Sequence, residues 1–157
     1  MDEVGRAVDQ MERAHVGDPW TDVPLVGLLE DLTHETASAK PIPGAHSIWE
    51  IVLHLGTAQE LIVDLVRDIF RPYEPGDEWP PVGEPTEEAW AAAVEQFRTG
   101  EAEVRRVVSE GVKPDQLDEP FREGGSSVYN NLHGYVQHAV YHGGQISVLK
   151  KLLSPTG

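Results

Sequence analysis

Apolar residues recur along this chain at helical spacing in four long stretches, and nowhere do they alternate in the every-second pattern of a strand. In the first stretch, residues 1–16, Val4, Ala7, Val8, Met11 and His15 share a face. In the second, residues 47–70, the face runs through Ile51, Leu55, Ala58, Ile62, Leu65 and Ile69, with His54 at its edge. The third, residues 86–110, carries Trp90, Val94, Phe97, Val104 and Val108, and Glu101 falls inside that stripe beside Gly100. The fourth, residues 127–153, is uninterrupted and sets Asn131, Tyr135, His138, His142, Gln145, Leu149 and Leu152 on one face.

The punctuation between the stretches agrees with this division. Ser47-Ile-Trp-Glu50 is a capping box, which fixes where the second helix starts and so where His54 points. Thr86 followed by two glutamates opens the third helix, Gly111 and Lys113-Pro114 end it, and Ser126-Ser127 caps the fourth. After Gly17-Asp18-Pro19, Thr21-Asp22 offers an N-cap for a short helix through Val26, Leu28, Leu29 and Leu32, and Pro41 to Gly44 makes a rigid turn. Residues 71–85 are proline-rich and acidic and predict a loop, in which Trp79 either covers one end of the bundle or borders a pocket. The expectation is an all-α four-helix bundle, one domain over residues 1–157, with one short extra helix in the first connection.

Composition narrows the functional classes. A formal net charge of -15 is repelled by phosphate backbones and anionic lipid, which argues against nucleic-acid and membrane partners. No apolar run approaches a membrane span, and the acidic start lacks the layout of a signal peptide, so a cytoplasmic protein is expected. With 0 cysteines there is neither a thiolate ligand nor a cysteine nucleophile, so thiol chemistry needs a thiol brought by the substrate.

The chemistry concentrates in His138-Ala-Val-Tyr-His142, whose two imidazoles stand one above the other on the core-facing side of the last helix. Such a pair is either hydrogen-bonded within the core or ligates a metal, which satisfies the acceptor nitrogen of each ring. His54, inward-looking on a second helix, completes a set suited to an open site with positions left for water or substrate. The zinc-protease motif has glutamate directly after its first histidine, and here that residue is Ala139, so the usual hydrolytic base is missing.

Other polar residues on the inward faces leave alternatives open. Glu101 either reaches solvent along a groove or is aimed into the pocket as a fourth ligand or base. Tyr135 and Gln145 are candidates for contacts to a ligating histidine or to substrate, or are polar groups bonded between helices. Glu12 and His15 have the spacing of one di-iron half-motif without its second copy, so His15 reads as a core or rim residue. His34 and His46 read as solvated, and Gly144 as a point of close helix packing, within the subunit or across a dimer.

Ser47 to Leu55 together with His138 to Ile146 resembles the DinB/YfiT-like superfamily, and the resemblance extends to Pro19-Trp20 and to Asp77-Glu78-Trp79-Pro80. It implies an up-down-down-up four-helix bundle, usually a homodimer, with one divalent metal ion held by His54, His138 and His142; imidazole, a borderline ligand, suits zinc or nickel. It also implies a small-molecule substrate. Some members transfer low-molecular-weight thiols such as bacillithiol or mycothiol to a small electrophile, and others are metal-dependent hydrolases. A third outcome is a binding module that the metal stabilises without turnover. Residual apolar positions Val136, Val140 and Ile146 on the last helix give modest support for the dimer.

Overall fold

The computed structural model describes residues 1–72 and 74–154. Four long helices form: α1 (Glu3–His15), α4 (Ile48–Val66), α5 (Glu87–Gly111) and α6 (Val128–Leu153), with two short ones, α2 (Leu25–Leu28) and α3 (His34–Ser38), in the first connection. No strand occurs among the described residues, apart from one isolated bridge between Pro120 and Ser127. No described helix is long and apolar enough to cross a membrane.

The helices start where the sequence sets caps. Asp2, Ser47, Thr86 and Ser127 each accept a backbone amide of the first turn, and Ser47 and Glu50 close both bonds of the expected capping box. The end of α4 differs from expectation, coming at Val66 instead of near Phe70. Asp68 takes a left-handed φ of 55°, while Asp68 N bonds Leu65 O and Ile69 N bonds Asp64 O, a Schellman stop that turns Ile69 out to solvent. In the first connection two short helices replace the single one expected. Asp22 has a φ of 70° and caps nothing there; α2 starts after Pro24, and Thr33 caps α3.

α1 packs chiefly against α5 and α6, and α4 against the same two, so α1 and α4 stand diagonally across the bundle. The long connection from Val16 to Ser47 lets the chain cross that diagonal, and it is fastened on the way. Trp90 Nε1 donates to Leu32 O at 2.9 Å, and Lys150 Nζ donates to Leu28 O at 3.1 Å and Glu30 O at 2.8 Å. α2 rests on α6 at Gly143, where a Cβ would already touch Leu25 and Leu28. Gly144, the residue read as a packing glycine, is exposed and has nothing near it.

The apolar core is divided along the bundle. One cluster gathers α2, α3 and the N-terminal halves of α4 and α5 with the C-terminal half of α6, around Trp49, Ile51, Trp90, Phe97 and Ile146. The other joins α1 to the remaining halves, around Met11, Ile62, Val104, Val108 and Leu132. Ile146 is therefore a core residue, unavailable to a partner, whereas Leu152 on the nominal inner stripe is exposed. At the waist between the clusters sit the buried polar residues His15, Gln59 and Glu101, and Gln59 Nε2 donates to Phe97 O at 3.0 Å.

Candidate metal centre

At that waist His54 of α4 meets His138 and His142 of α6, and one nitrogen from each lies within 4.8 Å of the others. The ring centroids are 4.8 Å apart for His54–His138, 4.8 Å for His54–His142 and 4.5 Å for His138–His142, all edge-on.

Two of the rings have their outer nitrogens committed. His54 Nδ1 donates to the carbonyl of Glu78 at 2.6 Å, and His142 Nδ1 donates to Gln145 Oε1 at 2.7 Å. Each bond places the proton on Nδ1 and leaves the Nε2 lone pair free, as a metal-ligating histidine requires. His54 Nε2 and His138 Nε2 are 2.9 Å apart, a separation at which two bare lone pairs repel, so a proton or a cation belongs between them. Ligands at zinc distances subtend roughly 3.0 to 3.4 Å between cis-octahedral or tetrahedral nitrogens, so the rings need shift only slightly to hold such an ion.

Burial is the main influence on these imidazoles. It pulls His138 down to about 4, helped by the fields of His142 and His54, and it lowers His142 against the opposing bond to Gln145. Neutral imidazole is the form that ligates. Three neutral imidazoles so placed could hold a metal ion.

The loop between α4 and α5 closes over the centre. Trp79 stacks on His54 with centroids 3.9 Å apart and an interplanar angle of 7°, and His46 stacks on the other face of Trp79 at 3.5 Å and 4°. Trp79 thus borders the site instead of covering a bundle end. Thr57 Oγ1 donates to the His54 carbonyl at 2.7 Å, steadying the same turn of α4. Beside His54 and His138 a cavity of about 340 Å³ opens to the surface, floored by Ala58, Leu61 and Ile62.

Glu101 corrects the expectation that it reaches solvent. It is fully buried, paired with Arg105 Nε at 2.9 Å, and its Oε1 lies 3.9 Å from His15 Nδ1. It stands in the waist with His15 and Tyr135 and outside the three-histidine cluster. Burial raises Glu101 to about 7 against the pull of Arg105, and lowers His15 to about 4. His15 donates Nδ1–H to Met11 O at 2.8 Å and stacks on Tyr135 at 5.2 Å, making it a core histidine. The Tyr135 hydroxyl is buried without a hydrogen-bond partner among the described residues, and burial pushes the phenol further up.

Of the remaining sequence readings, Glu50 caps α4 as expected and also takes Lys40 at 2.8 Å. His34 is half-buried beside Glu35, and His46, read as merely solvated, is tied to the site through Trp79. The Glu78 carbonyl was beyond sequence reasoning because a backbone acceptor has no residue signature; the neighbouring loop tryptophan was the only hint.

A family model described as the DinB superfamily matches residues 24–146, a span that includes all three histidines and the Trp79 loop. No curated protein and no solved structure matches the chain.

Proposed function

This chain belongs to the DinB superfamily, and on that footing we propose that it is a metal-dependent enzyme that transfers a low-molecular-weight thiol to a small electrophile. The observation that carries the reading is the open arrangement of three imidazoles beside a cavity, with no carboxylate in their cluster. When bound, a divalent ion of the zinc or nickel kind supplies Lewis acidity that lowers the pKa of a thiol at its open position. His54, His138 and His142 would hold it. Gln145 and the Glu78 carbonyl orient two of those rings, and Trp79 screens the His54 side from water. The cavity holds the substrate against the exposed edge of His54 and His138.

The glutamate base of the usual zinc-hydrolase motif is missing here, and Glu78 is a carboxylate that lines the cavity. Ala139, at the position of the usual glutamate base, is buried in the core away from the cavity lining, and Glu101 lies with His15. The test is elemental analysis of purified protein with a thiol-transfer assay. One ion per chain and transfer that disappears in His138→Ala supports the reading. Ester or amide hydrolysis without thiol dependence indicates a hydrolase, and a loaded protein inert in both assays indicates a binding module.

The reading includes a second copy of the chain. α6 leaves Val140, Tyr141, Val148 and Leu152 exposed, and Ile42 lines a shallow apolar groove with Tyr141 and Val148. Val140 of the sequence reading stays in this row, while Ile146 lies in the core and Val136 is half-buried.

A further inference from the structure

Two residues that line the apolar groove on α6 also support the three-histidine cluster. Gln145 accepts the His142 Nδ1 proton at 2.7 Å, and His46 stacks at 3.5 Å on Trp79, which in turn lies on His54. The groove holds about 460 Å³, and Ile42, Tyr141, Val148 and Leu149 supply apolar surface to it. No carboxylate, lysine or arginine lines it. What fills this groove therefore presses on the groups that orient two of the three imidazoles.

Gly144 lines the same groove, and a Cβ there would meet nothing within 4 Å. Glycine inside a helix is less stable than alanine, because it loses more freedom on folding. Packing within one chain gives no reason to bear that cost. Two helices, however, approach most closely where the residues between their axes are small. Around Gly144, α6 exposes Val140 and Tyr141 on one side and Val148 and Leu152 on the other. Two chains of formal charge -15 repel each other, and they meet at least cost across a groove without carboxylates.

We propose that a second copy of the chain seats in this groove and becomes part of the metal centre, so that dimer formation and metal affinity reinforce each other. The inference deepens the second-copy reading above and rests on it. A partner α6 crossing at Gly144 sets an exposed apolar side chain of its own row against Gln145 and His46. Water is then excluded from the Gln145–His142 bond and from the His46 ring, and the bond strengthens as the local dielectric falls. Partners that orient a metal-bound histidine are worth about tenfold or more in metal affinity. By linkage, whatever the second copy adds to metal binding, the metal adds to the association of the copies.

Sedimentation of the native chain, with zinc and with excess chelator, reads the coupling in one direction. Zinc titration against a chelating dye, at chain concentrations below and above the association range, reads it in the other. Zinc affinity per chain is expected to rise about tenfold in the dimer, so two bound ions tighten the dimer about hundredfold. Gly144→Leu is expected to keep its helix content and denaturant midpoint, to stay monomeric with and without zinc, and to bind zinc equally at every chain concentration. His138→Ala excludes bridging through surface histidines, and its association should not respond to zinc.

A native dimer equally tight with zinc and with chelator overturns the inference and leaves the second-copy reading standing. A native chain monomeric in both conditions removes the two together. Gly144→Leu that dimerises like the native chain, or His138→Ala that still responds to zinc, places the contact or the ion elsewhere and overturns the inference. A native monomer that binds cyclohexanone in calorimetry, where Gly144→Leu does not, gives the groove to a small molecule and overturns it as well.

Discussion

Trp79 lies flat on His54, ring centroids 3.9 Å apart, while the residue before it, Glu78, takes the His54 Nδ1 proton on its carbonyl at 2.6 Å. The stack and the hydrogen bond come from one short piece of loop, so the indole anchors the carbonyl that orients His54. Trp79→Ala is expected to weaken zinc binding about tenfold, in the range found when a partner that orients a metal-bound histidine is removed, and Trp79→Phe to recover most of it. Zinc should change the tryptophan emission of the native chain and have little effect on that of Trp79→Phe. Unchanged affinity in Trp79→Ala would show that the loop is only a cover.

His138→Ala leaves two imidazoles and is expected to abolish stoichiometric metal binding while circular dichroism still reports nearly native helix content. Gln145→Leu removes the bond that keeps the His142 proton on Nδ1 and should cost roughly ten-fold in affinity. His34 lies outside the histidine cluster, so His34→Ala is the control expected to leave metal content unchanged. His46→Ala is not such a control, because the His46 ring backs Trp79.

The buried pair His15 and Glu101 gives two opposed pH dependences. His15 falls from 6.5 to about 4 on folding, so the unfolded chain binds its proton more readily, and this group's share of stability is lost as pH drops from 6.5 towards 4. Glu101 rises from 4.5 to about 7, so the folded chain holds its proton more tightly, and its share is lost as pH rises from 4.5 towards 7. The windows overlap and the slopes oppose each other. Denaturant midpoints measured across this range should therefore vary little in the native chain. Glu101→Gln should expose a stability that rises with pH, and His15→Phe one that falls with pH, each by at most about 1.4 kcal/mol per pH unit. Parallel profiles in the two variants would contradict the assignment.

If α6 carries the contact for a second copy, a charge placed within its exposed row should separate the copies. Tyr141→Glu and Val148→Glu are expected to shift sedimentation from dimer to monomer without loss of helix, because both side chains are exposed within the chain. A native chain that sediments as a monomer at micromolar concentration would remove the dimer.

What the sequence carried well was local chemistry. Ser47 and Glu50 bond each other's first-turn amides as their spacing predicts, and this sets the phase of α4 on which His54 depends. What it carried poorly depends on distant chain. Glu101 was correctly placed in its stripe, but its burial follows from Arg105 one turn on and His15 arriving from α1. On α6 the buried side is not one straight stripe, because the helix packs against α4, α1 and α2 in turn. Ile146 is consequently inside and Leu152 outside, the reverse of the single-face reading. The His46–Trp79–His54 stack joins residues from three parts of the chain, and no local pattern announces it.

The contact between His54 and His138 joins residues 84 positions apart in a chain with 0 cysteines. An ion held there acts as a covalent cross-link would, closing a long loop and shrinking the freedom of the unfolded chain. Unlike a disulfide, this clasp answers to metal supply instead of to oxidation. Each tenfold rise in free metal above its dissociation constant adds about 1.4 kcal/mol to the folded state. Under metal starvation that contribution would be lost, leaving α4 and α6 held by their shared apolar core alone.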